Sequence, residues 1–278
     1  MRFDRDLIAF LLLLSTTGCV GNSDNTPDGT GKSTGDSPVN HADSSTVNTA
    51  TNDSMERTGG DDGSKNKIPN EPANMIQGWG TSRDPAGGTK IELKDTTLVM
   101  ISPAAYVDNF PKGAVNAPWV MQEVSGDFTA EVNVTHVDPA LPDSVLKSLG
   151  GFSTAYHAGS LIVRTNEKNL IRFERVSKNT KGILSTTCEL QVYEKGKQKA
   201  YASEKIEDIP TQLRLERRGN LLLSSFSQDN GKTWKELPQH KLGMLLGKVK
   251  IGVSLTNNTD PGCTVKFQDL KIVQRDGQ

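Results

Sequence analysis

Ser224-Ser225-Phe226-Ser227-Gln228-Asp229-Asn230-Gly231-Lys232-Thr233-Trp234 reads as a strand that runs into a tight turn and leaves it through a tryptophan. Ser227 and Asp229 have short polar side chains that can bond turn NH groups. Asn230-Gly231 tolerates positive φ, and Trp234 can fold its ring over the loop. Such a corner belongs to an antiparallel β-protein, and the residues on either side extend that reading.

Upstream, Leu213-Arg214-Leu215-Glu216-Arg217-Arg218-Gly219-Asn220-Leu221-Leu222 is a second tight hairpin leading directly into the first. Short strands are expected over Lys90–Leu93, Thr97–Ile101, Trp119–Val124, Gly182–Tyr193, Ala200–Glu204, Thr233–Leu237, Lys248–Asn257 and Thr264–Val273. In Phe128–Val137 the alternation puts Phe128, Ala130, Val132 and Val134 on one face, as in a sheet packed on one side. His136 continues that face as a core or rim histidine. In the last strand Val265 and Phe267 are out of phase with Leu270 and Ile272, which predicts a bulge near Gln268-Asp269.

The clearest hairpin joins Ala155–Thr165 to Leu170–Ser177 around Asn166-Glu167-Lys168-Asn169. Pairing centred on Glu167 sets Val163 against Ile171 and Leu161 against Phe173, an apolar face. The opposite face then carries Ser160, Ile162, Arg164, Arg172 and Glu174, either a clamp for a polar ligand or a cross-strand ion pair on a solvated sheet. Residues 102–117, with Pro103, Tyr106, Phe110, Pro111 and Gly113, read as a long loop. Pro142 to Leu149 has the pattern of a short helix stopped by Gly150-Gly151. Regular strands with polar turns and one short helical insertion predict an all-β antiparallel β-sandwich over residues 74–278.

The front of the chain is of another kind. A charged start at Arg2–Asp6, the apolar run Leu7–Leu14 and small residues Ser15–Gly18 form a signal-peptide layout over 1–19. The apolar run is shorter than the roughly 20 residues a spanning helix needs. Gly18-Cys19 resembles a bacterial lipobox in which Cys19 becomes lipidated, although Thr16 stands where leucine is usual; the alternative is a soluble secreted protein. Residues 20–73, rich in Ser, Thr, Asn, Asp and Gly, cannot bury enough surface to fold and read as a disordered spacer with a reach of about 40 Å.

Lys plus Arg number 32 against 33 for Asp plus Glu, so no general electrostatic case for nucleic acid exists. With Cys19 in the leader, Cys188 and Cys263 form an even pair in a disulfide-permitting compartment; a Cys188–Cys263 bond is expected, against the alternative of two buried thiols. No histidine stands at ligand spacing to them, which argues against structural zinc. Neither a metal nor any other cofactor is expected.

Ser227-x-Asp229-x-Gly231-x-Thr233-Trp234 resembles the Asp-box of sialidases and other secreted β-proteins, a motif that builds a corner and does no chemistry. Taken with Trp119-Val120-Met121 through Gly126-Asp127-Phe128, Ala158-Gly159-Ser160-Leu161-Ile162-Val163-Arg164, Leu213 to Gly219 and Val265 to Leu270, in that order, the chain resembles the DUF1349 family. That resemblance, over about residues 77–273, implies a concanavalin A-like lectin/glucanase jelly roll whose concave face or rim loops bind carbohydrate. Such domains carry a glycine-aspartate turn where this chain has Asp84-Pro85-Ala86-Gly87-Gly88, with a carboxylate missing from its second half.

Three function classes compete. A non-catalytic glycan-binding module would use aromatics near loops, Trp79, Tyr106, Trp119 and Tyr156, with Arg164, Arg172 and Glu174 supplying polar contacts. A structural or protein-interaction domain of the cell envelope would need no small ligand. A glycoside hydrolase needs two carboxylates about 5 to 9 Å apart; the Glu-x-Asp-x-x-Glu-like run of this fold's glucanases is missing, as are HExxH and a recognisable Ser-His-Asp set. One Asp-box in a short domain does not make a six-bladed sialidase.

Overall fold

The computed structural model describes residues 74–110, 115–142, 144–146 and 154–275. The leader with Cys19 and the spacer 20–73 lie outside them. Among the described residues sixteen strands form two antiparallel sheets: β1 Met75–Ile76, β2 Gly80–Arg83, β3 Lys90–Lys94, β4 Thr97–Ser102, β5 Trp119–Val124, β6 Asp127–Val137, β7 Thr154–Asn166, β8 Asn169–Thr180, β9 Ile183–Glu194, β10 Lys197–Ile206, β11 Thr211–Arg218, β12 Leu221–Ser227, β13 Lys235–Glu236, β14 His240–Lys241, β15 Val249–Asn257 and β16 Cys263–Arg275. The first sheet runs β1-β2-β5-β15-β7-β8-β9-β10. The second runs β13-β12-β11-β6-β16-β4-β3, with β14 also against β12. The fold is an all-β antiparallel sandwich.

Its core follows from alternation. Phe128, Ala130, Val132 and Val134 of β6, Leu213 and Leu215 of β11, and Val265 and Phe267 of β16 face Leu161 and Val163 of β7, Ile171 and Phe173 of β8, and Leu190 and Val192 of β9, all buried. Burying such side chains contributes about 1.5–3 kcal/mol each relative to exposure. The expected register holds: Val163 pairs with Ile171 and Leu161 with Phe173. The expected bulge holds as well, because the β16–β6 register shifts between Gln268 and Lys271 and Asp269 adopts φ 57°.

The corner at Asp229 is built as its residues suggest. Ser227 Oγ donates to Asp229 Oδ1 at 2.7 Å and accepts from Gly231 N at 2.9 Å; Thr233 donates to Asp229 through N (2.9 Å) and Oγ1 (2.6 Å). Trp234 Nε1 closes the loop onto Gly231 O at 3.0 Å, and Arg214 stacks 3.5 Å from the tryptophan ring centroid. Asn230 and Gly231 have φ 58° and 78°. The strand expected over Thr233–Leu237 is confined to Lys235–Glu236, because the corner's own bonds hold Thr233 and Trp234 off the ladder.

Two expectations are corrected. The described part of the Pro142–Leu149 segment is not helical: Val145 bridges Thr259, Leu146 N donates to Asn258 O, and Asp260 N donates to Ser144 O. Over Ser144 to Leu146 tertiary pairing with the chain just beyond β15 overrides the helical pattern, and among the described residues the helical structure is a single 3-10 turn at Gly243–Leu245. Asp143 and residues 147–153 lie outside the description.

Cys188 and Cys263 are free, buried thiols, not a disulfide. Cys263 approaches the Thr256 carbonyl of β15, whereas Cys188 sits on β9, three strands away in the first sheet. At about 4.8 Å between strands that is roughly 14 Å, twice the largest bridgeable Cα separation. Burial pushes both thiol pKa values up.

Gly159 of β7 is packed tightly against the second sheet: a Cβ there would lie 2.6 Å from Val265 Cγ1 and 2.9 Å from Val134 Cγ1. Gly159→Ala is expected to destabilise the domain by about 1–3 kcal/mol, read as a lower denaturant midpoint at unchanged slope. The bonds from Thr233 and Ser227 hold the Asp229 carboxyl down from 3.8 to about 2. A depressed carboxylate stabilises the fold fully above its unfolded value and loses that contribution as pH falls through the folded one. Urea titrations should show wild type more stable than Asp229→Asn at about pH 5, the difference shrinking from about pH 4 towards about pH 2.

Candidate functional site

The outer face of the first sheet, turned away from the core, carries the polar alternate residues of its strands. From β7 come Tyr156, Ala158, Ser160, Ile162 and Arg164, and from β8 come Leu170, Arg172, Glu174, Val176 and Lys178. Glu189, Gln191 and Tyr193 of β9 stand opposite Glu174, Arg172 and Leu170. This face is only partly solvated. The described residues of the segment joining β4 to β5, 103–110 and 115–118, fold over it.

That segment is tied down by its own polar groups. Val107 and Asn257 exchange backbone hydrogen bonds at 2.9 Å, Asn109 Nδ2 donates to Ser254 Oγ at 2.8 Å, and Asn116 Nδ2 donates to Tyr106 O at 3.0 Å. The Asn257 side chain reaches the carbonyls of Pro103 and Ala105. With both ends held, Asp108 is delivered onto the sheet face.

There it meets Arg172. Arg172 Nη1 donates to Asp108 Oδ1 at 2.5 Å and Nη2 to Glu174 Oε2 at 2.8 Å, the three side chains being at most 7% exposed. Tyr156 Oη (2.6 Å) and Tyr106 Oη (3.2 Å) donate to Asp108 Oδ2, and Ser160 Oγ donates to Glu174 Oε1 at 2.6 Å. Burial alone would lower the Arg172 pKa, but the charges of Asp108 and Glu174 outweigh it and hold the pKa well above its usual value. Burial and then the Asp108 charge push Tyr106 up to about 12, and the same causes raise Tyr156 further. Both phenols are therefore neutral donors.

Beside this network lies a cleft of about 310 Å³ lined by Tyr106, Asp108, Phe110, Thr154, Tyr156, Ala158, Arg172, Glu174, Val176, Lys178, Glu189 and Gln191. Phe110 stands edge-on to Tyr193, ring centroids 5.7 Å apart. Glu189 pairs with Lys178 and accepts from Thr187 Oγ1 at 2.9 Å; Gln191 Oε1 accepts from Tyr193 Oη at 2.9 Å, leaving its NH2 group for a ligand. Three carboxylates face two cations, a formal excess of one negative charge. Among the described residues no group of three or more His, Cys, Asp or Glu side chains is gathered to hold a metal ion.

Four of the six ligand-binding candidates, Tyr106, Tyr156, Arg172 and Glu174, are thus brought together. Two are not. Trp79 is 5% exposed and belongs to the core between the sheets, its backbone N–H donating to Ile76 O in the β1–β2 turn. Arg164 lies on the outer face but opposite Leu170, beyond the cleft, 6.0 Å from the ring centroid of Trp119. Trp119 itself is buried with Met121, Ile162, Leu170 and Tyr193. Asp84 is spent on its own turn, accepting from Thr89 N at 2.7 Å.

Asp108, Lys178, Glu189 and Gln191 escaped the reading of the sequence. One signal pointed to Asp108: it is the only acidic residue in the 102–117 stretch. The others lie in phase with Arg172 and Glu174, but on a face whose covering depends on a distant loop.

No family model and no curated protein sequence matches this chain. Among solved structures, a functionally unknown protein from Saccharomyces cerevisiae is similar at 14% identity and a TM-score of 0.54, covering 72% of this chain and 98% of that one. That likeness shows a shared fold. The GH43 BlXynB protein from Bacillus licheniformis (12% identity, TM-score 0.47, 64% of this chain and 33% of that one) and a legume lectin-like domain from Entamoeba histolytica (9%, 0.43, 68% and 88%) superpose more loosely and bear on nothing further.

Removing one member of a buried charge network leaves the others uncompensated, at a cost of about 3–5 kcal/mol. Arg172→Ala is expected to destabilise the domain by that order and to raise amide exchange in residues 103–110, while Arg164→Ala leaves exchange there unchanged. Hydrogen exchange with mass spectrometry on both variants checks this.

Proposed function

We propose that this protein is a non-catalytic carbohydrate-binding module, held outside the cytoplasm by a lipid anchor at Cys19 and a spacer over residues 20–73. The observation that carries the reading is the cleft on the outer face, where the Phe110 ring and the Tyr106 and Tyr156 phenols stand beside Gln191, Lys178 and Glu189. Aromatic rings take the CH faces of a sugar, and amide and charged groups orient its hydroxyls. The resemblance of the sequence to DUF1349 domains supports the same reading.

A binding role is favoured over hydrolysis by how the carboxylates are occupied. Both oxygens of Asp108 and both of Glu174 accept hydrogen bonds from protein groups, and both acids are paired with Arg172. Groups committed in this way fix the loop onto the sheet, and what remains for a ligand is a preorganised surface.

A glycan array probed with the full chain should show retention of a limited set of oligosaccharides. Phe110→Ala and Gln191→Ala should each weaken binding about tenfold, with thermal midpoints close to wild type, and Ser227→Ala should lower the midpoint without changing affinity. Retention of no glycan, or unchanged affinity in the Phe110 and Gln191 variants, overturns the reading in favour of a protein-interaction domain.

A further inference from the structure

Arg164 stands on the same outer face as the cleft, two residues along β7 from Ile162, which pairs with Arg172. Across the β7–β15 ladder it lies directly opposite Lys250. Like charges so placed destabilise a sheet. Arg83 of β2 pairs in register with Trp119 and acts on Arg164 electrostatically, and the Arg164 guanidinium and Lys250 ammonium lie 6.0 and 5.8 Å from the Trp119 ring centroid.

Among the described residues none of these three cations lies within ion-pair distance of a carboxylate. Two acids are near. Glu123, opposite Lys250 on its other side, is engaged by Lys248 at 2.8 Å, and Glu167 opposes Arg164 only from a distance. A shallow hollow of about 670 Å³ opens beside Arg164, and Lys168 and Lys195 line it with Glu167. Burial and Arg83 together lower the Arg164 pKa, against the pull of Glu167.

We propose that this cationic rim is a second binding site, for the carboxylate groups of an acidic polysaccharide whose uncharged units occupy the cleft. The inference rests on the carbohydrate reading and adds the ligand's charge to it. A guanidinium donates paired N–H bonds to a carboxylate, and an anion placed between Arg83, Arg164 and Lys250 relieves their mutual repulsion. The cleft, with its formal negative excess, suits a neutral sugar, so the two sites together select a polymer carrying both kinds of unit. A discrete ligand group is favoured over a lipid surface because Arg164 is half-buried beside a hollow, where a planar bilayer does not reach, whereas a chain can enter.

The test measures binding of the full chain to glucuronoxylan and hyaluronan, each beside its carboxyl-reduced form, and to vesicles of phosphatidylglycerol and phosphatidylcholine. Expected are tighter binding to the acidic form of at least one polymer and weakening with added salt. Arg164→Gln should lose about tenfold in affinity for that form, as for a charge-assisted bond. The exposed Arg83→Gln and Lys250→Gln should lose severalfold and leave carboxyl-reduced polymer unaffected. Lys250→Gln should also leave the thermal midpoint at or above wild type, since it removes a like-charge contact. Equal binding of acidic and reduced polymers with unchanged affinity in the variants overturns the rim while leaving the cleft standing. Absence of binding to any glycan overturns both, and vesicle binding through the same residues without polymer binding overturns the rim in favour of a membrane surface.

Discussion

A buried arginine between two buried carboxylates organises the outer face of this sandwich. Arg172 cannot sit on a covered sheet uncompensated, since an ion taken out of water costs several kcal/mol even after relaxation. Glu174, two residues along the same strand, meets half of that need, and Asp108, 64 residues earlier, meets the other half. The pairing does more than neutralise charge. It holds residues 103–110 over the sheet, and Tyr106, Asp108 and Phe110 of that stretch form one wall of the cleft.

The rest of the architecture serves that requirement. Apolar residues of both sheets make up most of the inner face, so the outer face is free to carry polar residues without loss of core. Asn257, Ser254 and Thr256 on β15, all buried, turn otherwise orphaned donors and acceptors towards residues 103–110 and Glu174. Each such group left unpaired would cost a few kcal/mol. The outer face thus divides into a compensated region around Arg172 and an uncompensated one around Arg164, and the contrast gives the two regions their different ligand chemistry.

Much of the sandwich was legible from local rules, and particular residues show why. The Val163–Ile171 register is set by a short turn at Glu167 and by which residues are apolar, both local properties. The bulge at Asp269 appears as a break in alternation, and the Asp229 corner as side chains whose bonds span at most four residues. The described residues Ser144 to Leu146 depart from the helical pattern because pairing to Asn258, Thr259 and Asp260 is worth more there than one isolated turn of helix. The expected disulfide failed because cysteine parity says nothing about the two strands, β7 and β8, that stand between Cys188 on β9 and β15. At the site, Arg172, Glu174, Tyr106 and Tyr156 could be named in advance as polar and aromatic groups on one face or in one loop, whereas Trp79 and Arg164 shared those features and went elsewhere.

By itself the sequence determined which residues are strands, where they turn, and which side chains share a face, because period-two alternation and turn chemistry act over a few residues. Only the tertiary structure decided which face would be covered, that Asp108 would reach Arg172, that Trp79 would enter the core, and that the two thiols would stay apart. Those outcomes depend on the spatial order of strands, β15 between β5 and β7, which brings residues more than a hundred positions apart into contact. No local propensity encodes that order; it emerges from burying both inner faces at once while leaving no buried charge alone.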